Sequence, residues 1–112
     1  MDVELEAWVS QLRKGLVELA VLGLLAGEAK YGSQLVDELA AHPRLAISAG
    51  TVYPLLSRLK KSGLVESAWQ ESPLGPPRKY YSLTAAGRAA FASMSTVWRL
   101  VTAEIDTLLE ES

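Results

Sequence analysis

The sequence predicts a mainly α-helical domain that carries a two-stranded β-ribbon, and three observations support this. Between Ser48 and Gly63, the apolar residues Val52, Leu55, Leu56 and Leu59 recur at the spacing of one buried helical face. Residues 64–83 then alternate as two short strands around a proline-rich turn, Ser72-Pro73-Leu74-Gly75-Pro76-Pro77. From Thr84 onward, Phe91, Met94, Trp98, Val101, Ile105 and Leu108 recur at steps of 3, 4, 3, 4 and 3, which is the seam of a long helix that wants a partner.

Along the chain, Leu5, Trp8, Val9, Leu12 and Leu16 follow helical spacing, and Gly15 marks an expected boundary. An N-terminal helix over residues 1–14 is therefore expected to precede a second, about Leu16–Ala26, which is apolar nearly all round and so central and buried. A short turn follows at Gly27 to Lys30. Tyr31–Ala41 is amphipathic with Leu35 and Leu39 inward, and His42-Pro43 ends it, because a residue before proline is pushed out of helical geometry. Ser48 suits the N-cap of the next helix, its hydroxyl accepting a bond from an early backbone N–H. Pro54 lacks an N–H and crowds the carbonyl of Gly50, so a bend or a tight first turn is expected there, or else a helix that starts near Thr51. Gly63 ends this helix. The ribbon strands are Leu64–Glu71 and Arg78–Leu83, and Thr84 caps the last helix.

Composition bounds the function. A chain of 112 residues with 49% hydrophobic content is one domain, 1–112, with a modest core that oligomerisation would supplement. Without cysteine there is neither a disulfide framework nor a thiolate metal site, and the lone His42 cannot supply a zinc cluster, so no metal or cofactor is expected. The apolar run Leu16–Ala26 is interrupted by Glu18 and falls well short of the roughly 20 residues that a membrane span requires. The acidic start Met-Asp-Val-Glu does not read as a signal peptide, so the expected location is cytoplasmic. No nucleophile is paired with a base and no phosphate-binding glycine loop occurs, so catalysis is not expected.

A helix followed by a ribbon with a basic tip is the layout of a nucleic-acid reading head. The net charge of −2 opposes that reading, yet residues 30–81 carry +3 while residues 1–29 carry −3 and residues 82–112 carry −2. Charge is thus concentrated where phosphate contact would occur, and phosphate contact is short-ranged under screening. Ser48, Thr51 and Tyr53, at the N-terminal end of the helix, are the candidates nearest base edges in the major groove. Arg58, Lys60 and Lys61 lie nearer phosphate, while Arg78 and Lys79 at the stiffened ribbon tip suit phosphate or the minor groove. Tyr80 and Tyr81 point to opposite faces, one into the core and one, by its hydroxyl, toward the backbone.

The words GTVYPLLSRLKKSGLVES and GPPRKYYSLTAAGR resemble the hallmark segments of the PadR family of bacterial transcriptional regulators, and LRKGLVELAVLGLLAGEAKYG (Leu12 to Gly32) matches that family's N-terminal signature. The resemblance covers nearly the whole chain with the motifs in the family's order. It implies a winged helix-turn-helix fold, with the DNA-binding region over 15–83 and a C-terminal dimerisation helix over 84–112. It further implies a homodimeric regulator, most simply a repressor, reading a palindromic double-stranded operator. Tyr31 resembles a family tyrosine that faces the DNA backbone; packing beneath the wing is the other reading.

For the seam of Phe91, Met94, Trp98, Val101, Ile105 and Leu108, packing between subunits with Leu5, Trp8 and Leu12 joining in is favoured over folding back on the same chain. A helix of about 27 residues, roughly 40 Å long, exceeds what so small a chain can cover. The resemblance also implies an effector pocket near the interface, where Trp8 and Trp98 would meet a flat hydrophobic or aromatic molecule; plain core packing is the alternative. Two other functions stand beside the regulator. One is a winged-helix adaptor that binds protein without specific DNA binding, which the acidic total favours; the other is a small ligand-binding or enzymatic protein, with only the tryptophans in its favour.

Overall fold

The computed structural model describes residues 2–111; the outermost expected bounds, Met1 and Ser112, lie outside the described residues. Seven elements follow in order: α1 (Val3–Gly27), β1 (Lys30–Tyr31), α2 (Gly32–Ala40), α3 (Ala49–Lys61), β2 (Val65–Ser72), β3 (Gly75–Leu83) and α4 (Ala85–Glu110). The architecture is mainly helical, with a small antiparallel sheet of order β1-β3-β2.

The expected break at Gly15 does not occur. One helix of 25 residues runs through it, capped by the Asp2 carboxylate, which accepts from the Leu5 N–H at 2.8 Å. An interior glycine costs a helix only about 1 kcal/mol relative to alanine. Burial of Val17, Val21, Leu22 and Leu25 at one end, with a cap and acidic first turn at the other, outweighs that cost. The C-terminal half of α1 is the central strut that the apolar run promised.

Around it close Leu35 and Leu39 of α2, Val52, Leu56 and Leu59 of α3, and Val65, Tyr81 and Leu83 from the base of the ribbon. Leu45 and Ile47, in the loop between α2 and α3, cover one side of this core. Pro54 lies inside α3 without breaking it. The first turn is tight, with the Thr51 and Val52 N–H groups both directed to the Ser48 carbonyl at 3.0 and 3.1 Å. Ser48 occupies the N-cap, but its hydroxyl makes no capping bond, contrary to expectation.

The ribbon differs from the sequence reading in two respects. Its turn is only Pro73-Leu74, since Ser72 pairs with Gly75 and β3 begins there, not at Arg78. Pro76 and Pro77 are accommodated because the ladder is irregular between Gln70 and Ser72, and because the other edge of β3 is paired only at Tyr80 and Tyr81. The second difference is β1, a two-residue strand pairing Lys30 with Tyr81 and Tyr31 with Tyr80, which makes the sheet three-stranded.

At the foot of the ribbon α3 and α4 are locked together. Gly63, at φ 76°, closes α3: its N–H reaches the Lys60 carbonyl and the Leu64 N–H reaches that of Leu59, each at 3.0 Å. The Leu64 carbonyl then accepts from the Thr84 N–H at 3.1 Å. Thr84 caps α4 by accepting from the Gly87 N–H at 3.0 Å, and its hydroxyl donates to the Gly63 carbonyl at 2.6 Å. Gly87 lies so close to the Leu64 carbonyl that a Cβ there would overlap it.

From this joint α4 crosses α1, where Gly23 leaves room for the Phe91 ring. Phe91 and Met94 are half-buried against the core of their own chain, and Met94 also lines the open groove beside Trp98. Farther along, Val101 and Ile105 are 45% and 48% exposed, and Trp98 and Leu108 are exposed as well. Leu5, Trp8 and Leu12 on the N-terminal half of α1 are likewise exposed.

Replacing Gly87 by alanine forces the Leu64 carbonyl aside. Urea denaturation should show a loss of about 1–3 kcal/mol for Gly87→Ala, against less than about 0.5 kcal/mol for Ala86→Ser on the exposed side of the same turn.

Candidate nucleic-acid interface

The reading head is assembled from the N-terminus of α2, the outer face of α3 and the ribbon. Lys30 sets its base: only 6% exposed, it holds Glu38 at 3.0 Å and Glu28 at 3.3 Å. The hydrogen bond to Glu38 keeps the ammonium above its ordinary value of 10.5, against the opposing pull of burial. Next in the chain, Tyr31 is the N-cap residue of α2, its N–H directed at the Gln34 side-chain oxygen at 3.4 Å. Its ring meets Tyr80 edge-on, with centroids 5.4 Å apart, and the Arg78 guanidinium lies 4.3 Å from its centre. Within the chain the Tyr31 ring thus packs against the ribbon, between Tyr80 and the Arg78 guanidinium.

On the other face of β3, Tyr81 is buried and Lys79 sits 5.9 Å from its ring centre. Burial pushes the Tyr81 phenol above its ordinary 10.0, and the neighbouring Tyr53 phenol adds to the shift. Tyr80 and Tyr81 do take opposite faces, Tyr81 being the core residue.

The candidates on α3 divide between two flanks. Tyr53 packs directly over Gly32, where a Cβ would run into its ring, and it lines a cleft of about 310 Å³ with Tyr31, Trp69, Arg78 and Lys79. Ser48, Thr51 and Arg58 instead line a cavity of about 600 Å³ beside α1, together with Arg13 and Lys14. Arg58 is directed at Glu18 at 3.6 Å, and Arg13 donates to the Arg44 carbonyl at 3.3 Å. Lys60 reaches toward the ribbon and donates to the Ser67 hydroxyl at 2.8 Å, while Lys61 is exposed at the end of the helix. Thr51 and Tyr53 therefore lie on different sides of the helix, and the structure does not bring Arg58 to the cations of the wing.

Two features escaped the sequence reading. Arg13 and Lys14 carry no motif that would have placed them beside Thr51. Trp69 was legible: counting by twos from the buried Val65 puts Ser67 and Trp69 on the core-side face of the ribbon.

Trp8 and Trp98 are not brought together within the chain. Trp98 lines an open apolar groove of about 590 Å³ between α1 and α4, with Leu12, Leu16, Leu19 and Val101, whereas Trp8 borders a separate hollow with Glu4 and Lys14. Among the described residues no group of three or more His, Asp or Glu is placed to hold a metal, and no helix is long and apolar enough to cross a membrane.

A long strut, a short helix pair, a recognition helix closed by a ribbon and a C-terminal helix also recur in solved structures. The model of the transcriptional regulator PadR-like family matches residues 21–93. The chain belongs to this family. A PadR family transcriptional regulator from Eggerthella lenta superposes with a TM-score of 0.85 at 35% identity, covering 96% of this chain and 94% of its own. A PadR-like transcriptional regulator from Bacillus cereus gives a TM-score of 0.82 at 35% identity, over 88% of this chain and 96% of its own. Transcriptional regulator Rv3488 of Mycobacterium tuberculosis is 38% identical over 80 residues, which is 71% of this chain and 73% of that protein. The PadR family is one of transcriptional regulators, not enzymes, and membership carries DNA-binding regulation with it.

The pH dependence of the Lys30 cluster follows from its direction. A lysine held above its free value stabilises the fold fully below about 10.5 and loses that contribution as the pH rises through the folded value. Urea midpoints of the parent and Lys30→Met should thus differ by a constant amount from neutral pH upward and converge only in strongly alkaline buffer. A gap that widens with pH would contradict the assignment.

Proposed function

We propose that two copies of this chain form a cytoplasmic repressor that occupies a palindromic operator, each copy presenting α3 to a major groove and its ribbon to the neighbouring backbone. The observation that supports this reading is the pair of ribbon cations held over aromatic rings, Arg78 over Tyr31 on one face of β3 and Lys79 over Tyr81 on the other, both of which line the cleft beside Tyr53 of α3. Cations held over aromatic rings are pre-oriented, so little side-chain freedom is lost on meeting phosphate. Thr51 and Ser48, at the start of α3, are the base-facing candidates; Tyr53, Lys60 and Lys61 belong to the backbone-positioning set with Arg78 and Lys79.

Dimerisation is supported by the exposed stripe of Trp98, Val101, Ile105 and Leu108 on α4 and by the exposed Leu5, Trp8 and Leu12 on α1, of which Leu12 shares the groove of Trp98. The groove holding Trp98 would be closed by the second copy, giving a flat hydrophobic or aromatic effector a place to act on operator release. The adaptor reading keeps one observation in its favour, the net charge of −2.

Titration against labelled DNA from upstream of the protein's own gene, at several salt concentrations, separates the two. The regulator binds with a steep salt dependence, and Arg78→Ala or Lys79→Ala each weakens binding to every sequence alike and lowers the salt slope by about one unit. Absence of binding at low salt favours the adaptor, and an unchanged slope removes that residue from the phosphate contacts.

A further inference from the structure

The inner face of the ribbon changes character along its length. At the foot Val65 pairs with Leu83, and both are buried in the core; next come Ser67 and Tyr81; beyond them Trp69 pairs with Lys79. At that level Trp69 is left 70% exposed. An exposed indole on a short ribbon contributes little to this fold, yet Trp69 is held in place by its register opposite Lys79 and borders the cleft shared with Tyr53, Tyr31 and Arg78. No carboxylate lines that cleft, while two cations do, so its charge selects an anionic occupant.

Adjacent major and minor grooves of duplex DNA are separated by a single sugar–phosphate strand. A helix in one groove and a ribbon at the next must straddle that strand, so side chains in the cleft between them meet sugars and phosphates, not base edges. We propose, on the basis of the DNA-binding reading above, that the cleft between α3 and the ribbon seats one such strand. Trp69 lays its indole against the apolar C–H face of a deoxyribose, while Lys79 meets the adjoining phosphate. The division of labour follows from chemistry. Lys79 supplies the part of the affinity that salt removes, through counterion release, and Trp69 supplies a part that salt leaves alone, by burying apolar surface. Tyr53, fixed over Gly32 on the opposite wall, sets the width of the seat.

Because the contact is to sugar and phosphate, a short mixed-sequence DNA duplex serves as the probe. Titrations of the parent, Trp69→Ala, Trp69→Phe and Lys79→Ala over a series of salt concentrations read out both affinity and slope. Trp69→Ala should weaken binding roughly tenfold at every salt concentration with its slope unchanged. Trp69→Phe should retain most of the affinity, and Lys79→Ala should lose about one unit of slope. Tryptophan emission is the second readout: DNA should shift the emission of the parent and leave that of Trp69→Phe nearly unmoved, although Trp8 and Trp98 remain. Circular dichroism melting checks that the exposed site tolerates the change. The seat is overturned if Trp69→Ala binds like the parent, if its salt slope falls, or if the emission shift persists in Trp69→Phe. A parent that binds no DNA at any salt concentration removes the regulator reading itself, and the seat with it.

Discussion

The Leu64 carbonyl rests against Gly87 with no room for a side chain, and through this contact the recognition helix, the ribbon and α4 are held as one piece. Three hydrogen-bonded links converge on the same few atoms: the left-handed turn at Gly63 that ends α3, the Thr84 N–H on the Leu64 carbonyl, and the Thr84 hydroxyl on the Gly63 carbonyl. Each satisfies a backbone group that would otherwise be orphaned at a helix end. The ribbon leaves and returns at this joint, so its direction relative to α3 is set by the foot of the hairpin, not by the tip. A rotation of α4 would carry the reading head with it.

That rigidity gives the exposed part of α4 its importance. Phe91 and Met94 lie partly against the core of their own chain, and the rest of the stripe projects from a molecule 55 Å long and 21 Å thick, with too little chain left to cover it. Covering one large apolar side chain is worth about 1.5–3 kcal/mol, so a stripe of this kind favours association over exposure. A second copy packed on it would fix two heads at a constant separation, and two half-sites on one face of DNA lie roughly 34–36 Å apart. The acidic termini need not spoil binding. Screening cuts charge interactions off within about 10 Å, so phosphate contact depends on the charges close to it more than on the net charge of the chain.

Much of this was legible in the sequence because periodicity and punctuation agreed. Leu35 and Leu39, then Val52, Leu55, Leu56 and Leu59, were placed inward by spacing alone, and Gly63 and Thr84 marked real ends of elements. The misreadings arose where tertiary contacts override local preference. Gly15 looks like a break because its intrinsic cost is visible in the sequence, while the packing that outweighs it is not. Pro76 and Pro77 read as part of the turn because a free sheet edge cannot be seen from a string of residues. β1 is two residues long, too short for any period, and exists only because Lys30 and Tyr31 meet Tyr81 and Tyr80. In the reading head, residue types were legible but flanks were not: nothing local separates Thr51, beside α1, from Tyr53, beside the ribbon.

The central claim is that the exposed stripe of α4 yokes two rigid heads, and Ile105→Glu tests it most directly. The substitution places an uncompensated charge in the middle of the proposed seam, at a position exposed enough in the single chain for the fold itself to survive. Sedimentation equilibrium, run beside titration with a duplex bearing one or two half-sites, should find the parent dimeric and Ile105→Glu monomeric, its affinity for two half-sites reduced to that for one. A variant that sediments as a dimer, or a monomer that binds both half-sites as tightly as the parent, would contradict the account.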